Sequence, residues 1–505
     1  MGTRGASGGG GVVRVTRPDR SGRRNDPARR GRPEPRGRER DRRARRGRPE
    51  RRPPSDPARF TAYQAVAAVH RDDAYANLLL PRLITEADLT GRDAAFTTEL
   101  VYGTLRRRGT LDAVIEVAAD RSLDRIDPPA RDLLRLGVYQ LLYTRVPPHA
   151  AVAETVTLAG RVATGATGFI NAVLRRVAER SLEQWLAEVA PAVDTDPVGH
   201  LAVTHSHPAW VVRALQDALG GDLAETAAVV AANNDPAPVH LCARPGRAEA
   251  GTLAEEVGGT PGVFSPYAVY LSGGAPGRLS AIGQGRAHVQ DEGSQLVTVA
   301  LTEAPVSEGA TPRWLDLCAG PGGKAALLGG LAQQRGATVT AVEVAPHRAR
   351  LLAQAVQGLP VTVVTADGRD VGSPELPAGQ FDRVLVDAPC TGLGALRRRP
   401  EVRWRRTPSD LPALTRLQRE LLVAALQAVR PGGVVAYVTC SPHRAETVVT
   451  VAEARRRSKV STELLDARRW LPAGMPGLGD GPMVQLWPHR HGTDAMFLAL
   501  LRRTS

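Results

Sequence analysis

The 505-residue sequence contains few cysteines, only two lysines and no long apolar run. Its four cysteines include no CxxC pair, which excludes a disulfide scaffold and a structural zinc ribbon. No stretch approaches the roughly 18 uninterrupted apolar residues of a membrane span, and the first residues lack the apolar segment of a secretory signal. We therefore expect a cytoplasmic protein that acts without a membrane. The two lysines are Lys324 and Lys459, so a lysine within a motif stands out.

The positive charge is concentrated at one end of the chain. Residues 1–57 contain 19 arginines and seven acidic residues, a net charge of +12 out of +14 for the whole sequence. This segment has three valines and no Leu, Ile or Phe, so it cannot bury enough apolar surface to fold, and we expect it to be disordered. Two interpretations stay open: an arm that binds RNA through salt-sensitive charge interactions, or a solvated extension.

Hydrophobic spacing divides the rest of the chain into three parts. Residues 58–185 carry apolar side chains at helical spacing, which predicts an all-α bundle. Residues 186–288 continue with helices and then a small β-α-β unit at 239–243, 248–257 and 268–271. We expect this part to be a connector or an auxiliary RNA-binding module.

Residues 289–505 alternate short apolar runs with helical patterns, which predicts a Rossmann-like, doubly wound α/β domain with a mostly parallel sheet. The predicted strands cover 314–317, 339–342, 361–364, 384–386 and 434–438. The predicted helices cover 325–334, 348–356 and 414–429.

The loop after the first of these strands can approach a ligand closely, because glycines follow the strand and a helix begins behind them. A P-loop would require Gly at position 318 and Ser or Thr at 325, but Cys318 and Ala325 stand there. The G-x-G-x-x-G spacing of a dinucleotide site is also missing. The candidate cofactor loop consists of Cys318, Ala319, Gly320, Pro321, Gly322, Gly323 and Lys324.

Acidic residues follow the next predicted strands. Glu343 ends the second strand about 20 residues after the loop, where a carboxylate can bind both ribose hydroxyls. Asp367 follows the third strand and could bind an adenine amino group, and Asp387 follows the fourth. Three carboxylates in this order suit a nucleoside ligand with little negative charge. S-adenosylmethionine, which carries a sulfonium cation, therefore fits better than NAD.

Two cysteines also follow predicted strands, in Pro-Cys-Thr at Cys390 and Thr-Cys-Ser at Cys440. A lone buried cysteine is usually a small core side chain, but a pair at equivalent strand ends favours chemistry. Carbon 5 of a pyrimidine attacks a sulfonium methyl group only after a thiolate has added to carbon 6. This reaction needs a nucleophilic thiol, an acid near N3 and help with breakdown of the adduct, roles that Asp387, Cys390 and Cys440 match in residue type. The base must also be unpaired or flipped out.

Basic residues follow the first of these cysteines, and they could bind phosphate while a tryptophan among them stacks on a base. A solvated basic face is the alternative. His205 and His207 lack a further ligand at suitable spacing, so we expect no metal site. The candidate RNA contacts are Arg397, Arg398, Arg399, Arg403 and Trp404.

Several segments also resemble known families. Four segments resemble the RNA cytosine-C5 methyltransferases that carry two cysteines: DLCAGPGGK (316–324), VDAPCTGLGALRRRPEVRW (386–404), YVTCSPHRAE (437–446) and PHRHGTDAMFLA (488–499). Four other segments resemble the NusB-like RNA-binding domain: RFTAYQAV (59–66), ELVYGTLRR (99–107), LRLGVYQLLY (134–143) and FINAVLRRV (169–177). This fusion is typical of bacterial 16S rRNA methyltransferases of the Sun or Fmu type.

The resemblance implies specific roles. Cys440 would be the nucleophile and Cys390 would assist product release, on a 16S rRNA cytosine of the type numbered 967. The loop from Cys318 to Lys324 and the acids Glu343, Asp367 and Asp387 would hold S-adenosylmethionine. We expect the small-subunit ribosomal RNA as partner and a monomeric protein.

Three positions depart from the family pattern. Gly320 stands where Ala is common, and Glu343 stands where Asp is common. The residues after Cys440 lack the usual Glu-Asn-Glu, which leaves the role of Glu446 open. Two other functions remain as alternatives: methylation of cytosine C5 in transfer RNA, and a non-catalytic RNA-binding or antitermination module.

Overall fold

The computed structural model describes residues 56–307 and 312–505. The predicted disordered segment, residues 1–57, lies outside the described residues except for its last two. The first described part is entirely helical, as predicted. Asp56 caps the first helix by accepting a hydrogen bond from the Arg59 N–H at 2.9 Å. The helices are α1 Pro57–Arg71, α2 Ala76–Glu86, α3 Gly91–Ala119, α4 Pro128–Tyr143, α5 Pro148–Val162, α6 Thr167–Val177 and α7 Leu182–Val189.

The bundle forms because each helix buries an apolar face. Ala62, Ala65 and Val66 of α1 are fully buried against α3 and α4, as their helical spacing predicts. Trp185 of α7 joins the same core, and its ring N–H donates to the Val177 carbonyl at 3.0 Å. These contacts confirm the all-α bundle.

The middle part contains five further helices and a small four-stranded sheet. The predicted strands and helix are present, but the strands pair antiparallel in the order β2-β3-β1-β4, whereas β-α-β units are commonly parallel. The short strand β2 forms a hairpin with β3 and so reverses the chain before β3 reaches β1. The elements are α8 Pro197–Thr204, α9 Ala209–Ala218, α10 Leu223–Ala232, β1 Val239–Ala243, α11 Ala250–Val257, β2 Gly259–Pro261, β3 Ala268–Leu271, α12 Ser280–Gly283 and β4 Ala287–Val289.

The last part is an α/β domain with a mixed sheet. Its helices are α13 Glu292–Glu303, α14 Gly323–Gln334, α15 Pro346–Ala355, α16 Val402–Arg405, α17 Leu411–Ala428, α18 Val448–Arg457 and α19 Pro488–His491. Its strands are β5 Arg313–Asp316, β6 Thr338–Val342, β7 Val361–Val364, β8 Phe381–Asp387, β9 Val429–Thr439, β10 Thr462–Leu465, β11 Val484–Gln485 and β12 Phe497–Arg503.

The sheet order is β10-β12-β9-β8-β5-β6-β7, with β11 paired to β12. Strands β5 to β9 are the five predicted ones, and they pair in parallel. Their carboxyl ends therefore meet at one edge. The antiparallel strands β10 and β12 were not predicted, although β12 pairs with β9 along six residues. Among residues 56–307 and 312–505, no helix is long and apolar enough to cross a membrane.

Candidate active site

The two predicted cysteines meet at the edge formed by β8 and β9. Cys440 directly follows β9 and Cys390 lies three residues after β8. Their sulfur atoms are 3.4 Å apart, and both side chains are half-buried and unpaired by any disulfide. Parallel pairing of β8 with β9 brings the two loops together, because Asp387 is opposite Val438 in the register. The site thus presents two free thiols in direct contact.

The two thiols have opposite electrostatic environments. The hydrogen bond from Cys390 lowers the pKa of the Cys440 thiol below its usual value, and Lys324 contributes to the same effect. The same hydrogen bond, together with burial, raises the pKa of Cys390 well above its usual value. Cys440 is therefore the thiol that ionises first, and Cys390 remains its hydrogen-bond donor.

This asymmetry predicts a pH dependence for the reactivity of Cys440. A thiolate is lost as the pH falls through its pKa, so alkylation of Cys440 in the wild-type protein should decline only below the usual thiol range near ~8.5. In Cys390→Ala the donor is gone and the midpoint should shift to higher pH. Cys390→Ser retains a hydroxyl donor and should shift it less. Iodoacetamide labelling followed by peptide mass spectrometry measures the midpoint, and an unchanged midpoint in Cys390→Ala would contradict the account.

A buried carboxylate ties the two cysteine loops together. Glu446 is fully buried and accepts hydrogen bonds from the residue after each cysteine. The Thr391 N–H lies 2.8 Å from Glu446 Oε1, and the Ser441 hydroxyl lies 2.6 Å from Oε2. The Thr391 hydroxyl donates to Oε2 at 2.5 Å, and the Gln418 side-chain amide donates to Oε1 at 3.0 Å. Glu446, whose role the sequence left open, therefore fixes the spacing of the thiols.

An ion pair joins the candidate cofactor loop to the cysteine edge. Lys324 Nζ lies 2.9 Å from Asp387 Oδ2, so this lysine binds the acid that ends β8 rather than capping its own helix. Asp316, at the end of β5, is fully buried, and neither of its carboxylate oxygens has a hydrogen-bond partner among the described residues. Burial and the nearby Asp387 raise the pKa of Asp316 to about 7.

The remaining predicted acids lie at the same edge. Glu343 is buried at the end of β6, and its Oε1 accepts the Ala345 N–H at 2.9 Å. Asp367 follows β7 and is partly exposed. Its carboxylate binds Arg369, with Asp367 Oδ2 2.6 Å from Arg369 Nη2. This hydrogen bond lowers the pKa of Asp367, and any adenine contact by this carboxylate must be shared with Arg369.

The loop itself runs from Cys318 to Lys324 between β5 and α14. Ala319 N–H donates to the Val342 carbonyl at 2.8 Å, which holds the loop against β6. Gly322 has a φ of +120°, a conformation that favours glycine, and it packs against α15. Pro321 is exposed and Gly323 begins α14. Burial raises the pKa of Cys318 well above its usual value, so this thiol is not a candidate nucleophile.

Three of the arginines predicted to contact RNA, Arg397, Arg398 and Arg403, direct their guanidinium groups to protein acceptors. Arg397 is buried and donates to the Gly492 carbonyl at 2.6 Å. Arg398 donates to Asp291 at 2.8 Å and to Asp494 at 3.1 Å. The prediction stays open for Arg399, which is exposed, and for Trp404, which is partly buried.

Arg403 is fully buried and connects three parts of the fold. Its guanidinium donates to the carbonyl oxygens of Ser206 at 3.0 Å and Asn233 at 3.2 Å, and to the Asn234 side chain at 3.0 Å. It also reaches the Arg106 carbonyl in α3 at 3.3 Å. Burial lowers the pKa of Arg403 to about 9. This arginine is therefore a structural link between the helical bundle and the catalytic domain.

Removal of this link should reduce stability. Arg403→Ala leaves several buried acceptors without a donor, so the free energy of unfolding should fall by about 3 kcal/mol. Arg456→Ala removes the same charge from the exposed face of α18 and should change it by less than about 0.5 kcal/mol. Denaturant unfolding measures both, and equal effects would contradict a structural role for Arg403.

The two histidines considered as metal ligands are His205 and His207. His207 is buried, and its Nδ1 is hydrogen-bonded to the His205 carbonyl at 2.8 Å. Within the described parts of the chain, no three His, Cys, Asp or Glu side chains form a group that could hold a metal ion.

Two family models match the chain. The model described as 16S rRNA methyltransferase RsmB/F matches residues 303–502, and the model of the NusB family matches residues 56–179. The ribosomal RNA small subunit methyltransferase B of Pseudomonas putida is 34% identical over 418 residues, which cover 80% of this chain and 90% of that protein. The chain belongs to the RsmB/F family of 16S rRNA methyltransferases.

A curated relative and a solved structure each match most of this chain. A Mycobacterium tuberculosis protein described only as a methyltransferase is 59% identical over 454 residues, covering 90% of this chain and 98% of that protein. The solved structure of PH0851 has a TM-score of 0.73 at 22% identity, covers 88% of this chain and 98% of that one, and shows the same fold. Membership in this family makes the chain an RNA methyltransferase, which sets aside the non-catalytic alternative.

Two of the residues that depart from the family pattern, Gly320 and Glu343, are in direct contact. A Cβ atom at residue 320 would overlap the Glu343 carboxylate, so the longer Glu343 fits because position 320 is glycine. Gly320→Ala should therefore lower the free energy of unfolding by about 1–3 kcal/mol. In a Glu343→Asp background the same change should have little effect. A double-mutant cycle by denaturant unfolding measures this, and equal losses in both backgrounds would contradict the pairing.

Proposed function

We propose that this protein transfers a methyl group from S-adenosylmethionine to carbon 5 of a cytosine in 16S rRNA, with Cys440 as the nucleophile. The observation that carries the proposal is the thiol pair at the ends of adjacent parallel strands, with sulfur atoms 3.4 Å apart. A thiol of lowered pKa next to a protonated thiol suits covalent catalysis, because one sulfur attacks while the other stabilises it.

The cofactor would be held by the loop from Cys318 to Lys324 and by Glu343, Asp367 and Asp387. The residues present fit such a group, because Asp316 has two buried carboxylate oxygens without a donor beside the Lys324–Asp387 pair. These carboxylates suit the ammonium and sulfonium charges of the cofactor. When bound, S-adenosylmethionine supplies an electrophilic methyl group.

Cys440 performs the covalent step. Its thiolate adds to carbon 6 of the cytosine, which forms a sulfur–carbon bond and makes carbon 5 electron-rich. Carbon 5 receives the methyl group as the sulfur–methyl bond of the donor breaks, which leaves a neutral thioether. The carbon 5 proton then leaves to a base, and the carbon 5–carbon 6 double bond forms again. The sulfur–carbon bond breaks in that step, and Cys440 departs as a thiolate.

Cys390 and Asp387 support this chemistry. Cys390 donates a hydrogen bond to Cys440, so it stabilises the departing thiolate and assists release of the product. Asp387 is the acid proposed for the N3 edge of the base, and Lys324 holds its carboxylate in place. The cytosine must be unpaired or flipped out to reach the thiols.

The relatives named as small-subunit methyltransferases support 16S rRNA as the substrate, and the family resemblance favours a cytosine of the type numbered 967. Transfer RNA remains an outcome that the test must separate. A folded bundle of the NusB family precedes the catalytic domain, and a ribosomal RNA substrate is the one that this combination favours.

Trapping of the covalent adduct tests the proposal. Cys390→Ala incubated with 16S rRNA and S-adenosylmethionine should accumulate a protein–RNA adduct that migrates slowly in a denaturing gel. The double variant Cys390→Ala/Cys440→Ala should form none. Transfer RNA in a parallel reaction should give no adduct. An adduct in the double variant would rule out Cys440 as the nucleophile, and an adduct with transfer RNA alone would reassign the substrate.

A further inference from the structure

A cavity of about 350 Å³ lies where the helical bundle meets the segment that follows Cys390. Helices α1, α3 and α4 form one wall, and α16 with its preceding residue forms the other. The cavity opens to solvent, because its lining includes the exposed Asp73. Its lining also includes His70, Arg108, Arg131, Arg135, Glu401 and Trp404.

Three donors on residues that line this cavity lack hydrogen-bond acceptors. The Nε atoms of Arg108 and Arg131 and the ring N–H of Trp404 are buried without partners in the described part of the chain. Arg108 has an acidic neighbour in Asp112, at 3.6 Å, but that carboxylate already accepts two hydrogen bonds from Arg135, at 2.6 and 2.8 Å. Burial and the nearby Arg135 lower the pKa of Arg108 to about 10. The cavity therefore favours an anion with several acceptor oxygens.

The cavity also contains acceptors without donors. Glu401 is 3% exposed; its Oε1 accepts the Ala76 N–H at 3.3 Å, but its Oε2 is buried without a partner. His70 Nδ1 is hydrogen-bonded to Asp132 at 2.7 Å, and Nε2 is buried without a partner. With Nδ1 as the donor to Asp132, Nε2 is an acceptor. A ligand that complements the cavity therefore combines an anionic group with a hydroxyl donor.

We propose that this cavity binds one ribose-phosphate unit of the substrate RNA. The phosphate oxygens accept hydrogen bonds from Arg108, Arg131 and the Trp404 ring N–H. The 2′-hydroxyl donates to Glu401 Oε2, a contact that distinguishes RNA from DNA. The inference rests on the proposed function, which supplies RNA as the substrate. It deepens that function, because the cavity wall continues along the chain into the loop of Cys390.

RNA binding by a charge-matched pair of variants tests this site. Arg108→Gln/Arg131→Gln removes two positive charges from the cavity. Arg82→Gln/Arg92→Gln removes two from exposed positions on α2 and α3. The probe is a 16S rRNA transcript, with binding measured by filter retention over a salt series. The cavity variant should bind about tenfold more weakly with a shallower salt dependence, while the control keeps wild-type affinity. Wild-type affinity in the cavity variant, or an equal loss in the control, would overturn the proposal.

Two further measurements separate a ligand site from a structural interface. The Arg108 guanidinium also lies over the Trp404 ring and near Asp112, so circular dichroism measures the folded fraction of the cavity variant at the binding temperature; a loss of RNA affinity that disappears after correction for that fraction would overturn the proposal. A DNA oligonucleotide of the same sequence should bind wild-type protein more weakly than RNA, and Glu401→Gln should reduce this preference. An unchanged preference in Glu401→Gln would overturn the ribose contact.

The proposed methylation reaction and the proposed RNA-binding cavity can be tested independently of each other. If wild-type protein forms no 5-methylcytidine but the cavity variant still loses RNA affinity, the reaction is wrong and the binding site stands. If wild-type protein forms 5-methylcytidine and the cavity variant binds RNA as the wild type does, the reaction stands and the binding site is wrong.

Discussion

Cys440→Ala is expected to abolish methyl transfer to 16S rRNA, with a single-turnover rate more than roughly a thousandfold below the wild type. The reason is chemical: without a thiolate on carbon 6, carbon 5 of cytosine does not become nucleophilic enough to take the methyl group. Cys390 lies 3.4 Å from Cys440, but burial and the Glu446 carboxylate, which both remain in this variant, raise the pKa of Cys390, so it does not supply the missing thiolate. Transfer of a tritiated methyl group to the transcript measures the rate.

The matched control for this variant is Cys242→Ala, which removes a thiol from a fully buried position in the middle part of the chain. Its activity should equal that of the wild type after correction for the fraction of folded protein. Transfer by Cys440→Ala within tenfold of the wild-type rate would contradict covalent catalysis by this residue.

Glu446→Ala should have the second largest effect, a loss of roughly a hundredfold or more in the single-turnover rate. The carboxylate accepts hydrogen bonds from the residues that directly follow both cysteines, so its removal frees the two loops. The donors of Thr391 and Ser441 are then buried without acceptors, which also lowers stability. Glu446→Gln keeps one acceptor oxygen and should recover part of the rate.

A measurement other than activity distinguishes the loss of thiol positioning in Glu446→Ala from a general loss of stability. Because Glu446 sets the contact between the two thiols, Glu446→Ala should shift the alkylation midpoint of Cys440 to higher pH, as Cys390→Ala does. Glu453→Gln, on the surface of α18, should change neither the midpoint nor the rate. A Glu446→Ala protein that is less stable but keeps the wild-type midpoint would show that Glu446 does not position the thiols.

The parallel core of the catalytic domain could be predicted from the sequence, because its strands are continuous apolar runs and its acids and cysteines follow them directly. That pattern is local, and parallel pairing then brings Cys390 and Cys440 to one edge. The antiparallel strands β10 and β12 could not be predicted in the same way. Their identity depends on pairing with β9, which lies more than 50 residues from β12 along the chain.

The arginine-rich segment 397–406 shows where a prediction from neighbouring residues alone fails. Six arginines in the 20 residues after Cys390 predict an RNA contact, but burial of Arg403 depends on partners at Ser206 and Asn234, about 170 to 200 residues away. The buried residues Leu393 and Leu396 just before the segment are the signal that could have indicated packing. The Gly320–Glu343 contact likewise depends on two positions that are distant in sequence, although each departure was visible alone.

Nucleoside analysis of the methylated RNA tests the central claim most directly. The 16S rRNA transcript is incubated with wild-type protein and S-adenosylmethionine, digested to nucleosides and resolved by mass spectrometry. The account predicts 5-methylcytidine as the methylated nucleoside, absent when Cys440→Ala replaces the wild type. A methyl group on a different nucleoside, or 5-methylcytidine formed by Cys440→Ala, would contradict it.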